Sequence, residues 1–324
     1  LSVIAVSNQK IITTTIAVAG AGIAGVTGGN TTNVLDAVTE AYIADGVNIN
    51  QNNGSASSEQ MVIVEAFSNA LMVMTEGTIG GAGIAGVSGA VNVGVISNTT
   101  RAHAGGNINA KRDIRVIAWS EEDMHIITAN GSGAIIAGVG AAAAVGVVDG
   151  QTLSYVHKGA DLRAGRDIII LAYNDCMVNI DTISGAIGGA AGVGGGVTVG
   201  VITHTTRAYV ENAASLVAGA KLYAARTIDI RAESIGDIIG IAVGGAVGVA
   251  GAVVVNVVNT TTQAYIGSYT RVNQVIYSGI ENQTVRVVAI DKVTVLGIGG
   301  SPSYAGLGGV GAAVDVTVIR NTVT

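Results

Sequence analysis

One proline, one cysteine, one tryptophan and one phenylalanine are spread over 324 residues. A lone cysteine excludes an intrachain disulfide and any cysteine-based metal centre, and Cys176 reads as a small apolar residue. Aromatics make up 3% of the chain, so its 49% hydrophobic content is Val, Ile and Ala. Charged residues are only 12%; 16 basic against 22 acidic side chains leave a net charge of -6 with no Lys/Arg-rich stripe. That balance argues against a nucleic-acid partner. Forty-eight glycines and many β-branched residues also argue against helical repeats, since Gly costs roughly 1 kcal/mol per helix position relative to Ala. Strands suit this composition better.

What the sequence does contain is repetition. The phrase Asn98-Thr99-Thr100-Arg101-Ala102-His103 returns as His204-Thr205-Thr206-Arg207-Ala208-Tyr209 and as Asn259-Thr260-Thr261-Thr262-Gln263-Ala264-Tyr265. Aligned on the closing aromatic, the ladder Tyr42, His103, Tyr155, Tyr209 and Tyr265 steps by 61, 52, 54 and 56 residues. A second anchor, Ala5, Ala66, Ala118, Ala172, Ala232 and Ala289, follows the same drift. A period of about 55 residues signals a solenoid in which each unit buries its apolar face against its neighbours. The expected fold is all-β: one elongated parallel β-solenoid over residues 1–324. Because Arg320-Asn321-Thr322-Val323-Thr324 begins a further copy, the chain reads as a fragment of a longer array.

Within a unit, a Gly/Ala/Val run apolar at both parities precedes the threonine phrase, and an alternating tail such as Ile228-Asp229-Ile230-Arg231-Ala232 closes it. The run reads as a strand buried on both faces and the tail as a half-exposed strand. In the tail Leu162-Arg163-Ala164-Gly165-Arg166-Asp167, Gly165 is expected to supply a left-handed or bulged turn position. A coil of roughly 19 residues would divide each period into three, giving roughly 17 coils and a rod on the order of 80 Å long.

The Leu-x-Ala-Gly-x-Asp-Ile tails resemble the repeat of filamentous haemagglutinin-type secreted adhesins. The Gly/Ala/Val run followed by Asn-Thr-Thr-x-Ala-Tyr is similar to leukotoxin-type filamentous adhesins of anaerobic bacteria. The resemblance implies a right-handed parallel β-helix, exported and displayed outside a bacterial cell as a surface or secreted fibre, and it carries no catalytic residues. A structural or adhesive rod is the expected function, with itself and a host or neighbouring-cell surface as partners. A toxin passenger and a polysaccharide-acting β-helix enzyme are the alternatives.

If both faces of the apolar runs are buried, something must cover the outer one. Small side chains let two sheets approach closely, so Gly83, Ala85, Gly138, Ala142, Gly194, Gly196, Gly244, Ala250 and Ala252 are the candidate self-assembly seam. A membrane span is not expected, because these runs lack Leu, Phe and flanking Lys/Arg clusters.

No cofactor or metal is expected. Glu122 and His125 match Glu-x-x-His, but that spacing shares a face only on a helix. Gly192-Val193-Gly194-Gly195-Gly196 lacks the helix a dinucleotide loop requires. Glu121, Glu122, Asp123, Asp175 and Asp181 are read as solvated charge on turns. Threonines on every coil would suggest an ice-binding face, but at three coils per period the phrase recurs too rarely.

Overall fold

The structure is a computed structural model describing residues 1–274, 283–304 and 309–324. Its strands are β1 (Ser2–Ala21), β2 (Ala24–Ile43), β3 (Asn48–Ile49), β4 (Val62–Ala82), β5 (Ala85–Ala104), β6 (Asn107–Ala110), β7 (Ile114–Ala134), β8 (Ala137–Val156), β9 (Asp161–Ala164), β10 (Asp167–Gly188), β11 (Ala191–Val210), β12 (Lys221–Ala224), β13 (Thr227–Ala246), β14 (Gly248–Ile266), β15 (Arg271–Val272), β16 (Thr284–Gly300) and β17 (Val310–Val323). They form three parallel sheets: β1-β4-β7-β10-β13-β16, β2-β5-β8-β11-β14-β17 and the short β3-β6-β9-β12-β15, hereafter the first, second and third sheets. Each coil runs out along the first sheet, reverses, returns along the second and closes through the third. The chain is a parallel β-solenoid, and among the described residues no helix is long and apolar enough to cross a membrane.

One coil consumes a whole period, which corrects the expectation of three short coils. The stack is six strands deep, so it rises only about 24 Å while each 20-residue strand extends about 66 Å. The glycines of the apolar runs lie inside long strands, and Gly80, Gly138, Gly194, Gly196 and Gly244 are on the face turned toward the opposite sheet.

The spacing between the first and second sheets explains them. Large side chains, Ile114, Ile168 and Ile228 with Leu162 and Leu222 of the third sheet, fill the broad end where all three sheets meet. Met72, Met74, Met124, Ile126 and Ile180 fill the middle. Toward the reversal the sheets converge until only small side chains fit, and at some positions not even a Cβ does. A Cβ on Gly80 would lie 2.9 Å from the Val87 carbonyl oxygen, one on Gly138 would lie 2.5 Å from that of Ile187, and one on Gly244 would overlap that of Gly251. The cross-section is therefore a wedge whose taper is encoded by side-chain size.

This taper relocates the small-residue seam. Gly138, Ala142, Gly194, Gly196, Gly244, Ala250 and Ala252 all point into the wedge and are buried, while Gly83 and Ala85 lie half-buried at the reversal between β4 and β5. The small side chains join the two sheets of one molecule; they do not offer themselves to another rod. Nor are the apolar runs buried on both faces, since their alternate residues face solvent.

Gly165 is also explained differently. Its φ is not positive; among the described glycines positive values fall at Gly46, Gly106, Gly159 and Gly248. A Cβ there would overlap the Lys111 carbonyl oxygen of the preceding coil, so close approach is what requires glycine. At the same corner, Arg166 clamps Asp113 of the coil before it through Nε and Nη2 at 2.8 and 2.7 Å, and Arg226 repeats the clamp on Asp167.

Candidate functional site

A polar seam runs through the interior between the two main apolar clusters. In the first sheet, Ser7, Ser68, Ser120, Asn174, Ser234 and Asp291 occupy one inward column. Facing them from the second sheet are Asn98, His204 and Thr260. Asn98 Nδ2 donates to Ser120 Oγ at 2.8 Å and to Glu122 Oε1 at 2.7 Å, Asn174 Nδ2 donates to Glu122 Oε2 at 2.5 Å, and Thr260 donates to Asp291. Glu122 thus lies fully buried within a strand, not on a solvated turn, and burial pushes its carboxyl up to about 7. His204 is held neutral, lowered to about 3 by burial, with Nε2 3.1 Å from Thr152 Oγ1. The Cys176 thiol packs in the middle apolar cluster and is pushed well up by the same loss of water.

Strand alternation dissolves the Glu-x-x-His match, because Glu122 points inward and His125 outward. Glu121, Asp123, Asp175 and Asp181 lie mid-strand on the outer face of the first sheet. Among the described residues no group of three His, Cys, Asp or Glu is placed to hold a metal ion. The Gly192 to Gly196 run begins β11, where Gly192, Gly194 and Gly196 face inward.

On the second sheet, the ladder Tyr42, His103, Tyr155, Tyr209 and Tyr265 forms one outward stack. Successive centroids lie 5.0, 4.8, 5.0 and 5.1 Å apart with interplanar angles of 10°, 14°, 9° and 18°. Mutual shielding from water, then the Tyr155 and Tyr265 neighbours, push the Tyr209 phenol up to about 12. His103 is the exception in the column. Its Nε2 lies 3.3 Å from Glu40 Oε1 and its Nδ1 2.8 Å from His157 Nε2, and burial followed by the His157 charge lowers its pKa.

Beyond the ladder, toward the reversal, the outer face of the second sheet is apolar on β5, β8, β11, β14 and β17. Val26, Val87, Val139, Val193, Val249 and Val310 align in one column across six strands and are between 39% and 74% exposed. The outward residues that follow are Gly195, Val197, Val199 and Val201 on β11, and Gly251, Val253, Val255 and Val257 on β14. Outward threonines, by contrast, share one column only at Thr99, Thr205, Thr261 and Thr322, interrupted by Gln151. With one coil per period the register of the phrase recurs on every coil, although it reads Ala37-Val38-Thr39 on β2 and Gly150-Gln151-Thr152 on β8. It is the inward threonines, Thr39, Thr100, Thr152, Thr206 and Thr262, that form a continuous column from β2 to β14, followed by Val323 on β17, and these threonines are buried.

The first sheet carries a feature that sequence reasoning missed. The only phenylalanine and the only tryptophan, Phe67 and Trp119, join Tyr173 in one outward column on β4, β7 and β10. Trp119 and Tyr173 stack with centroids 4.0 Å apart; Phe67 and Trp119 are 6.4 Å apart. A cavity of about 440 Å³ opens beside the wider gap. Trp119 Nε1 donates to Glu121 Oε1 at 2.9 Å, and Asn69 Nδ2 donates to Glu121 Oε2 at 3.2 Å. Asp175 adjoins Glu121 in the next column, its pKa raised by burial and then by Asp237, Glu121 and Asp123. The signal was present: Phe67, Trp119 and Tyr173 each directly follow an anchor alanine, Ala66, Ala118 or Ala172.

No family model matches the chain, and neither a curated protein nor a solved structure matches it.

Proposed function

We propose that the chain is a structural, adhesive β-solenoid displayed outside a bacterial cell that associates with copies of itself through the outer face of its second sheet. The observation carrying this reading is the exposed valine column of Val26, Val87, Val139, Val193, Val249 and Val310. Five adjacent outward columns, made of Val, Gly and Ala on β5, β8, β11, β14 and β17 and interrupted on β2 by Asn30 and Thr32, make a flat apolar area on the order of 600 Å². Soluble monomers rarely leave contiguous patches above a few hundred Å² uncovered, and a stable interface buries about 800 Å² per partner. A second copy supplies a face of the same strand spacing, so valine columns can interdigitate rung by rung. The resemblance of the repeats to secreted filamentous adhesins supports export and display.

Substituting Val193→Lys together with Val249→Lys places two charges on that face without entering the wedge. Light scattering after gel filtration should then report monomer where the parent chain reports dimers or larger assemblies. A parent chain that stays monomeric at high concentration, or an unaltered assembly of the double variant, overturns the reading.

A further inference from the structure

The first sheet carries chemistry of another kind, on the face opposite the valine columns. Phe67, Trp119 and Tyr173 form a strip of three rings across adjacent coils, and the 6.4 Å gap between Phe67 and Trp119 adjoins a cavity of about 440 Å³. Its walls are Val6, Phe67 and Trp119; its polar rim is Asn8, Asn69 and Glu121, placed two residues along each strand. This is the general form of a small-ligand site: apolar walls with a few converging polar groups.

We propose that this strip binds an uncharged oligosaccharide. One face of a pyranose ring presents only C–H bonds, slightly positive, and packs on the negative face of an aromatic ring. Its equatorial hydroxyls then point sideways, where the neighbouring column supplies partners. A carboxylate accepts about four hydrogen bonds. Glu121 receives one on each oxygen, from Trp119 Nε1 at 2.9 Å and Asn69 Nδ2 at 3.2 Å, which fixes its orientation and leaves acceptor capacity for two vicinal hydroxyls. The Asn8 and Asn69 amides add groups that both donate and accept.

Charge selects among sugars. Asp123 lies outward two residues along β7 from Glu121, Asp175 pairs with Glu121 on β10, and Asp237 lies outward on β13 beyond it, so a uronate or sialate would meet like charge. Trp119 and Tyr173 cover each other's faces at 4.0 Å, so the ring faces free for a sugar are those of Phe67 and Trp119 that border the cavity, and they form no closed box around a single cation. The site names a ligand class for the adhesive part of the proposed function, yet stands on a different sheet from the assembly face.

Trp119 is the only tryptophan, so tryptophan emission, excited to the red of the tyrosine absorption band, reports on this site alone. Titration with chitotetraose or cellotetraose should give a saturable change in tryptophan emission and a matching heat by calorimetry. Tetragalacturonate should bind at least tenfold more weakly. Asn69→Ala and Glu121→Ala, both outward substitutions, should weaken the neutral sugar at least tenfold by calorimetry with an unchanged circular dichroism spectrum. The Val193→Lys, Val249→Lys variant should bind sugar like the parent, which separates this site from self-association. No saturable signal with either neutral tetrasaccharide at millimolar concentration overturns the proposal. Equal affinity for tetragalacturonate, or a response to choline alone, overturns it as well.

Discussion

His157 Nε2 lies 2.8 Å from His103 Nδ1, so one imidazole must donate to the other. If His103 donates its Nε2 proton to Glu40, its Nδ1 is the acceptor and His157 supplies the shared proton. A second proton on His103 would set two N–H groups against each other. The pKa of His103 accordingly falls below the ordinary 6.5, through burial first and the His157 charge second. For a histidine lowered in the folded state, the unfolded chain binds more protons below about pH 6.5, so stability falls as pH drops through that region. His103→Tyr matches the column to its four tyrosines and should flatten this dependence. Thermal unfolding between pH 7 and 5.5 measures it, and an equal slope in both proteins refutes the account.

Glu122 acts with the opposite sign. Its folded-state pKa, about 7 against an ordinary 4.5, means that the folded chain holds its proton more tightly. The stabilisation is present below pH 4.5 and is lost as pH rises through 7. Glu122→Gln keeps the bond from Asn98 through its oxygen, and its amide can donate to Asn174 Oδ1 once the Asn174 amide turns over, while the ionisation is removed. We expect it to stabilise at pH 8 by an amount on the order of 2 kcal/mol and to change little at pH 5. Denaturant midpoints at the two pH values test this.

His204 should govern the acid limb. Neutral in the fold with a pKa of about 3, it penalises folding increasingly as pH falls below 6.5. Thr260 occupies the same inward column one coil later, so His204→Thr places a residue the column already accommodates. Stability at pH 4.5 should rise relative to the parent and stay nearly unchanged at pH 8. A fall at both values would mean that the imidazole is needed for packing.

Gly244 and Gly251 separate the two roles of glycine. A Cβ on Gly244 overlaps the Gly251 carbonyl oxygen across the wedge, whereas a Cβ on Gly251 meets nothing within 4 Å. Gly244→Ala should therefore cost at least ~2 kcal/mol by forcing the sheets apart, while Gly251→Ala should lie within about 0.5 kcal/mol of the parent. Equal effects in chemical denaturation would remove the taper as the reason for glycine.

The sequence exposed the repeat and even its register. The anchor alanines Ala5, Ala66, Ala118, Ala172, Ala232 and Ala289 pair rung upon rung in the first sheet, and the ladder aromatics do so in the second. Coil length was hidden because Gly within a strand looks like a break until an opposing backbone explains it. Parity was hidden for a related reason: in Gly194-Gly195-Gly196 nothing local says which residue faces in. The run Glu121-Glu122-Asp123 reads as a solvated turn, and only strand alternation separates its outward ends from its buried middle. Phe67, Trp119 and Tyr173 escaped notice because the column holds Val6, Glu233 and Ile290 in other coils.

A repeat that spends 52 to 61 residues on one turn gains about 4.8 Å of height each time. What grows quickly is flank: each added turn brings two fresh 20-residue edges of surface, one greasy and one studded with polar groups. Lengthening such an array extends its reach slowly while multiplying the places where neighbours can be held, so grip through many weak simultaneous contacts is the property that repetition amplifies here.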